Sequence, residues 1–329
     1  MTNLCKLGII LMASMAASAQ DTTTNSYTQT NLVSDGSVSG TTTDPNLVNP
    51  WGLSRTATSP WWAADEATGV TTLYNGSGQV LSLVVAVPPA SGSGKGTPAG
   101  TVVFNGSFVF CTLDGSIQQW QGGSSTVIKV TNAGAAYTGC TVATKGGAET
   151  LYVANAAGGI EAYDTAYNPV TLATGAFKYP KLPSGYAPYG IQTANGKVYV
   201  TYSSAPGAGK GFVGAFSPNG KLLLALKHGP YLNEPWGIAL APSNFGAFSK
   251  TLLVGNVGSG TIAAFNPKTG AFVGELKNSA GKALANPGLW AIYFGGGSNS
   301  SSGPSNSLYF VAGIDAYAHG LFGVITSNN

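Results

Sequence analysis

The stretch Glu234-Pro235-Trp236-Gly237-Ile238 does not stand alone. Asn49-Pro50-Trp51-Gly52-Leu53 and Ala187-Pro188-Tyr189-Gly190-Ile191 repeat its plan. Thr97-Pro98-Ala99-Gly100, Tyr137-Thr138-Gly139-Cys140 and Pro287-Gly288-Leu289-Trp290 are weaker copies. With Gly52, Gly100, Gly139, Gly190, Gly237 and Gly288 as markers, successive copies lie 48, 39, 51, 47 and 51 residues apart. Such a period marks a repeat architecture in which each unit is one supersecondary element.

Each copy leads, after a loop, to a second apolar run: Trp61-Trp62-Ala63-Ala64, Phe108-Val109-Phe110-Cys111, Leu151-Tyr152-Val153-Ala154, Val198-Tyr199-Val200-Thr201, Leu252-Leu253-Val254-Gly255 and Leu308-Tyr309-Phe310-Val311. A polar turn and a third strand follow, as in Gly260-Thr261-Ile262-Ala263-Ala264-Phe265. Asn266-Pro267-Lys268-Thr269-Gly270 then leads to a fourth, Ala271 to Leu276. Four short strands in each repeat are the pattern of a propeller blade. A lone blade would leave both apolar faces wet, whereas ring closure packs every sheet between two neighbours. The expected fold is all-β: a six-bladed β-propeller of four-stranded antiparallel blades. One or two β-sandwiches also use short strands, but a sandwich does not require six Pro-aromatic-Gly starts.

The last repeat is short, ending at Leu321-Phe322-Gly323-Val324-Ile325. Tyr27-Thr28-Gln29-Thr30-Asn31-Leu32-Val33 alternates and belongs to no repeat. This N-terminal strand is expected to close the last blade as its outer strand. Ahead of it, Lys6, the apolar run Leu7 to Ala17 and Ala17-Ser18-Ala19 match a basic n-region, an h-region and a cleavage pattern. They predict a signal peptide over 1–19 and a single propeller domain over 20–329. The run is shorter than the roughly 20 residues of a bilayer span, and no later stretch predicts one. The expected location is secreted or periplasmic.

The 47 Gly and 18 Pro are spread through a chain that is 43% hydrophobic and 10% aromatic. That is too apolar for a disordered Gly/Ser chain and suits strands joined by tight turns. Only 8% of residues are charged, the net charge is +3, and Arg55 is the sole arginine. With no lysine cluster to neutralise several phosphates, no nucleic-acid partner is expected. Beyond the leader stand Cys111 and Cys140. In an oxidising compartment they form one disulfide or serve as two small buried hydrophobes; both readings stay open.

Several of these runs also carry a resemblance. Asn46-Leu47-Val48-Asn49-Pro50-Trp51-Gly52-Leu53, the stretch Gly69 to Gly76, Pro183-Ser184-Gly185-Tyr186-Ala187-Pro188, Pro235-Trp236-Gly237 and the ending His319-Gly320-Leu321-Phe322-Gly323 resemble an uncharacterised family of secreted bacterial proteins with NHL-like β-propeller repeats. The likeness spans nearly the whole mature chain. It implies an exported propeller and no particular activity. Members usually carry acidic residues just before the terminal His-Gly-Leu-Phe-Gly. Here Asp315-Ala316-Tyr317-Ala318 keeps one acid, which puts any role of those acids in doubt.

Familiar catalytic patterns are missing from the sequence. There is no G-x-S-x-G, no H-E-x-x-H and no C-x-x-C. Ser93-Gly94-Lys95-Gly96-Thr97 lacks the Ser or Thr that follows a P-loop lysine, and the histidines are His228 and His319 alone. What remains is placement. In a propeller, the loops leading into first strands and the turns between second and third strands share one face around the channel. Trp51, Tyr189, Trp236 and Trp290 are therefore expected near that rim, with Asp65, Glu66, Asp114, Asn155, Asn256 and Asp315 on the same side. Flat aromatic faces beside such acceptors suit a neutral polar ligand such as a sugar. Each type also has a structural reading: aromatics pack between blades, and turn Asp or Asn bonds its own backbone. His319, four residues after Asp315, is an acid–base or metal partner, or a histidine bonding loop carbonyls.

The leading expectation is a binding or scaffold module for a glycan, peptide or protein, with no cofactor. The alternative is a propeller enzyme of lyase or lactonase type. It would use Ca²⁺ or Mg²⁺ held by those oxygen ligands, and it requires several of the carboxylates to converge. A third reading is a matrix protein whose uncharged coat resists its surroundings.

Overall fold

The computed structural model describes residues 24–329; the expected leader over 1–19 lies outside them. The first strands in the chain, β1 (Tyr27–Ser34) and β2 (Thr42–Thr43), belong to the last blade. Blade one is β3 (Pro50–Ser54), β4 (Trp61–Asp65), β5 (Val70–Tyr74) and β6 (Val85–Ala86). Blade two is β7 (Pro98–Phe104), β8 (Ser107–Thr112), β9 (Ser116–Gln119) and β10 (Val127–Thr131). Blade three is β11 (Tyr137–Lys145), β12 (Ala148–Asn155) and β13 (Gly159–Tyr163). Blade four is β14 (Ala187–Ala194), β15 (Lys197–Ser203), β16 (Phe212–Phe216) and β17 (Leu222–Ala225). Blade five is β18 (Pro235–Leu240), β19 (Leu252–Asn256), β20 (Ile262–Phe265) and β21 (Phe272–Glu275). Blade six is β22 (Leu289–Phe294), β23 (Leu308–Ala312) and β24 (Leu321–Ser327), completed by β1. The chain is a six-bladed β-propeller. The one helical element among the described residues is a 3₁₀ turn at Gly246–Phe248, so no described helix is long and apolar enough to cross a membrane.

Both chain ends close the ring. β1 pairs antiparallel with β24, from Tyr27 opposite Ser327 to Ser34 opposite Leu321. Blade three departs from the four-stranded expectation. After β13 the chain carries Pro169, Pro180 and Pro183, each lacking the N–H a ladder needs. Only the Tyr163–Pro169 bridge and a Val170 N–H bond to the Ala162 carbonyl (2.8 Å) mark where a fourth strand would lie.

The repeated glycine has a steric cause. A Cβ on Gly190 would lie 2.2 Å from the Trp236 carbonyl oxygen, and one on Gly237 would lie 2.5 Å from that of Trp290. On Gly100 it would meet the Cys140 nitrogen at 2.5 Å, and on Gly52 the Ala99 carbonyl at 2.6 Å. At these four positions the first strands meet backbone to backbone around the axis, forming a collar in which a side chain would collide; a Cβ on Gly139 would stand 3.4 Å from its nearest neighbour. The sixth marker was misplaced by the sequence pattern: Gly288 precedes β22, and Gly237 faces the Trp290 carbonyl and the Ile292 nitrogen, the groups on either side of Ala291. The aromatic, not the glycine, keeps register in that blade.

Second strands such as β4, β19 and β23 are buried at every residue, because sheets cover both of their faces. The outer β17 and β21 carry no fully buried residue. Aromatic stacks tie blade to blade: Trp62 on Phe108 (4.2 Å), Tyr74 on Phe322 (5.2 Å) and Tyr27 on Phe248 (6.0 Å). Pairs of this kind add about 0.5–1.5 kcal/mol beyond area burial.

Candidate functional site

Above the collar, the residue just before the collar position of each first strand points at the axis or stays small. Blades two and three supply Ala99 and Thr138; the others supply Trp51, Tyr189, Trp236 and Trp290. The two small residues leave space that the four rings fill. Trp51 stacks on Trp290 with centroids 3.6 Å apart and planes at 17°. Tyr189 meets both edge-on, at 6.2 and 5.8 Å, and Trp236 meets Trp290 edge-on at 6.0 Å. Trp236 crosses the channel to donate its indole N–H to the Thr138 carbonyl (3.0 Å). The four aromatics singled out in the sequence therefore form one plug at one mouth.

The residue preceding the motif's proline decides how polar this plug is. In blades one and five these are Asn49 and Glu234, both at positive φ (47° and 53°). That backbone is uncommon for a non-glycine residue. Asn49 is fully engaged: its Oδ1 accepts from Trp290 Nε1 (3.0 Å) and its Nδ2 donates to Glu66 (2.9 Å). Glu234 is not. Its Oε2 is buried without a hydrogen-bond partner, and so is the indole nitrogen of Trp51. Burial pushes the Glu234 carboxyl above its ordinary pKa. The same carboxylate, after burial itself, helps push up the phenols of Tyr189 and Tyr317, placing all three groups together.

Tyr317 covers the plug. Its ring tilts over Trp290 at 5.7 Å and is 41% exposed. It stands on a turn in which Asp315, Ala316 and Tyr317 all have positive φ (52°, 54° and 72°). Left-handed backbone costs L-residues about 1–2 kcal/mol each, and strain of this kind gathers at functional sites.

The second-to-third turns share this face as expected. The Glu66 N–H bonds the Asn49 carbonyl (3.2 Å), and the Val257 N–H bonds that of Glu234 (2.9 Å). Their predicted acceptors, however, are largely turned toward the protein. Asp65 is fully buried; it accepts from Thr72 (2.8 Å), and burial lifts its pKa well above the usual carboxylate range. Asp114 bonds Thr112 and the Ala90 N–H. Asn155 accepts from the Ala136 and Ala157 N–H groups and donates to Glu161. Asn256 accepts from the Asn233 N–H and donates to the Tyr231 carbonyl. Asp315 is exposed on the Tyr317 turn. Among the described residues, no three His, Cys, Asp or Glu side chains gather as a metal centre would require.

His319 pairs with Asp35 rather than Asp315: its Nδ1 lies 2.7 Å from Asp35 Oδ2. The contact joins the turn before β24 to the loop after β1, and so links the chain ends. Cys111 and Cys140 carry free thiols, both buried and in contact across the junction of blades two and three. The sequence reading passed over Glu234 and Arg55 as site residues. Glu234 could have been found from its match to Asn49 ahead of Pro-Trp-Gly, and Arg55 from being one arginine in a charge-poor chain.

No family model matches the chain. It is 26% identical over 322 residues to uncharacterized protein R648 of Acanthamoeba polyphaga mimivirus, covering 89% of this chain and 78% of that protein. It is 23% identical over 337 residues to uncharacterized protein L690 of the same virus, covering 90% and 85%. Among solved structures it is similar to a streptogramin B lyase, with a TM-score of 0.56, 13% identity and coverage of 92% of this chain and 97% of that one. A virginiamycin B lyase from Staphylococcus aureus gives 0.53 and 12%, covering 91% and 98%. At such identity the likeness is one of fold, and function rests on the site.

Chemically, the aromatic mouth holds closely packed rings, Trp51, Trp236 and Trp290 being buried and Tyr317 exposed over them, with an indole donor and a carboxylate acceptor left without partners. That is the equipment for holding a polar ligand by stacking and a few directed hydrogen bonds.

Proposed function

We propose that this chain is a binding module whose aromatic mouth takes a neutral polar ligand, a glycan end being the best chemical fit. One observation carries the reading. Trp51 Nε1 and Glu234 Oε2 are a buried donor and a buried acceptor without partners, whereas Trp290 Nε1 and Asn49 Oδ1 at the same mouth are joined at 3.0 Å. Unmade buried hydrogen bonds cost about 1–3 kcal/mol each, and ligand hydroxyls bonding these groups would recover that cost. Tyr317 must swing aside for entry, and its strained turn favours that movement. The leader motif and the resemblance to exported bacterial propellers with NHL-like repeats support a role outside the cytoplasm. There the partner would be a glycan, or a peptide or protein surface presenting similar groups.

A panel of neutral oligosaccharides titrated against the mature protein, read by tryptophan fluorescence, tests this. A saturable change is expected that weakens about tenfold or more, the worth of one such hydrogen bond, in both Trp51→Phe and Glu234→Leu. Binding that survives both substitutions would place the ligand elsewhere and end the proposal.

A further inference from the structure

The first strands all start at the aromatic mouth, so their far ends define a second one. There β3 gives way to Arg55, β14 brings Gln192 and Thr193, and β22 brings Tyr293. Two adjoining cavities of about 200 and 210 Å³ open at this mouth, and these four residues border both.

Arg55 is held as a rigid fixture. Its Nε donates to the Phe294 carbonyl (3.0 Å), one terminal nitrogen to that of Thr56 (3.1 Å) and the other to that of Gly295 (3.0 Å). Its guanidinium carbon lies 5.5 and 5.6 Å from the ring centres of Trp61 and Tyr293. Three of five N–H donors are thereby used, leaving one on each terminal nitrogen. No carboxylate neutralises it: the single side-chain ion pair among the described residues is His319–Asp35. Neither cavity is lined by Asp, Glu or Lys. The remaining polar lining is uncharged. Ser54 and Thr101 share a hydrogen bond (2.9 Å), Thr141 donates to Thr193 (3.1 Å), and Gln192 lies between the cavities.

We propose that this mouth binds the carboxylate of a small organic monoanion. An arginine with its plane already fixed loses little freedom on bonding a carboxylate, and charge-assisted hydrogen bonds are the strong ones. A single positive charge in an otherwise neutral polar recess selects one negative charge, while the hydroxyls and the Gln192 amide suit a polar body. The proposal is independent of the aromatic mouth.

Calorimetric titration of the mature protein with N-acetylglycine and with its neutral amide tests it. The acid is expected to bind and the amide not to, with affinity falling as salt is raised. Arg55→Gln should weaken acid binding about tenfold or more, and Arg55→Lys should keep part of it. Trp51→Phe and Glu234→Leu should leave it unchanged. Arg55 also staples blade one to blade six, so Gln192→Leu and Thr193→Val, which spare the three carbonyl bonds, must weaken acid binding if Arg55→Gln fails to fold. Equal binding of acid and amide, acid binding indifferent to these substitutions, or no acid binding by the wild type overturns the proposal.

Discussion

The two mouths of the channel are made by the same six strands and end in opposite chemistry. At one, four large rings and Tyr317 fill the axis, and one oxygen of the half-buried Glu234 carboxylate is enclosed without a partner. At the other, the axis is open, and the charge is an arginine fixed by carbonyls and facing cavities without acids. The difference shows how a propeller separates tasks. Shape and stacking close one end, while charge in an unfilled recess marks the other. A collar of backbone between them lets each end vary without disturbing its opposite.

The collar is where the comparison is easiest to break. Gly190→Ala places a methyl 2.2 Å from the Trp236 carbonyl oxygen, against backbone that cannot rotate away. Overpacking costs about 1–3 kcal/mol or more, and this change should reach the top of that range. A large drop in melting temperature is expected, with loss of both binding events together. Gly196→Ala is the control. That hairpin glycine has φ +70° but nothing within 4 Å of a new Cβ, so its cost is backbone strain alone, about 1–2 kcal/mol. Equal melting of the two variants would mean that the first strands do not meet as described.

Next comes the contrast between Asn49 and Glu234, matching residues with opposite satisfaction. Asn49→Ala strands the Trp290 indole N–H and puts alanine at positive φ. The expected loss is about 2–4 kcal/mol by thermal or denaturant unfolding. Glu234→Gln should act the other way. Burial raises the Glu234 pKa, so the folded state favours the neutral acid. That contribution is present below the ordinary glutamate range and is lost as pH rises through the raised value. A neutral glutamine does not lose it. The variant should match wild type near pH 3 and melt higher at pH 7, by under about 1 kcal/mol after solvent screening. A variant less stable than wild type at pH 7 would mean that the charged carboxylate has a partner.

The fold was legible because its determinants are local and repeated. Pro-aromatic-Gly recurs where backbone meets backbone, and Tyr27 to Val33 alternates where a strand is missing. Blade three's absent outer strand was not read from the sequence, where four strands per blade were expected, although Pro169, Pro180 and Pro183 lack the N–H groups a ladder needs. At the site, sequence placed Trp51, Tyr189, Trp236 and Trp290 on one rim, because strand position fixes that. It did not say which turn acceptors face inward. Asn155 and Asn256 look alike in sequence to any rim asparagine, and only the fold shows them bonded to neighbouring N–H groups. Glu234 and Arg55 were hidden for a related reason. Their significance lies in partners they lack, and a missing partner is a property of three-dimensional packing.

The smallest expected effect concerns the junction beside the aromatic mouth. The bond to Asp35 raises the pKa of His319. The Asp35 carboxyl sits below its usual value, its burial being outweighed by bonds from Ser37 and His319. The histidine's contribution is present below its ordinary pKa and lost as pH rises through the raised one. The aspartate's is present above its ordinary pKa and lost as pH falls through the lowered one. The pair therefore holds best in mildly acidic solution. His319→Gln should lower the melting temperature slightly there, with the difference vanishing at alkaline pH and in strong acid. Because His319 ends the turn that carries Tyr317, the same substitution should loosen the cover over Trp290. Oligosaccharide-dependent fluorescence should change while N-acetylglycine binding at the arginine mouth does not. A change at both mouths would show that the collar couples them, and the separation of tasks drawn above would fail at its weakest link.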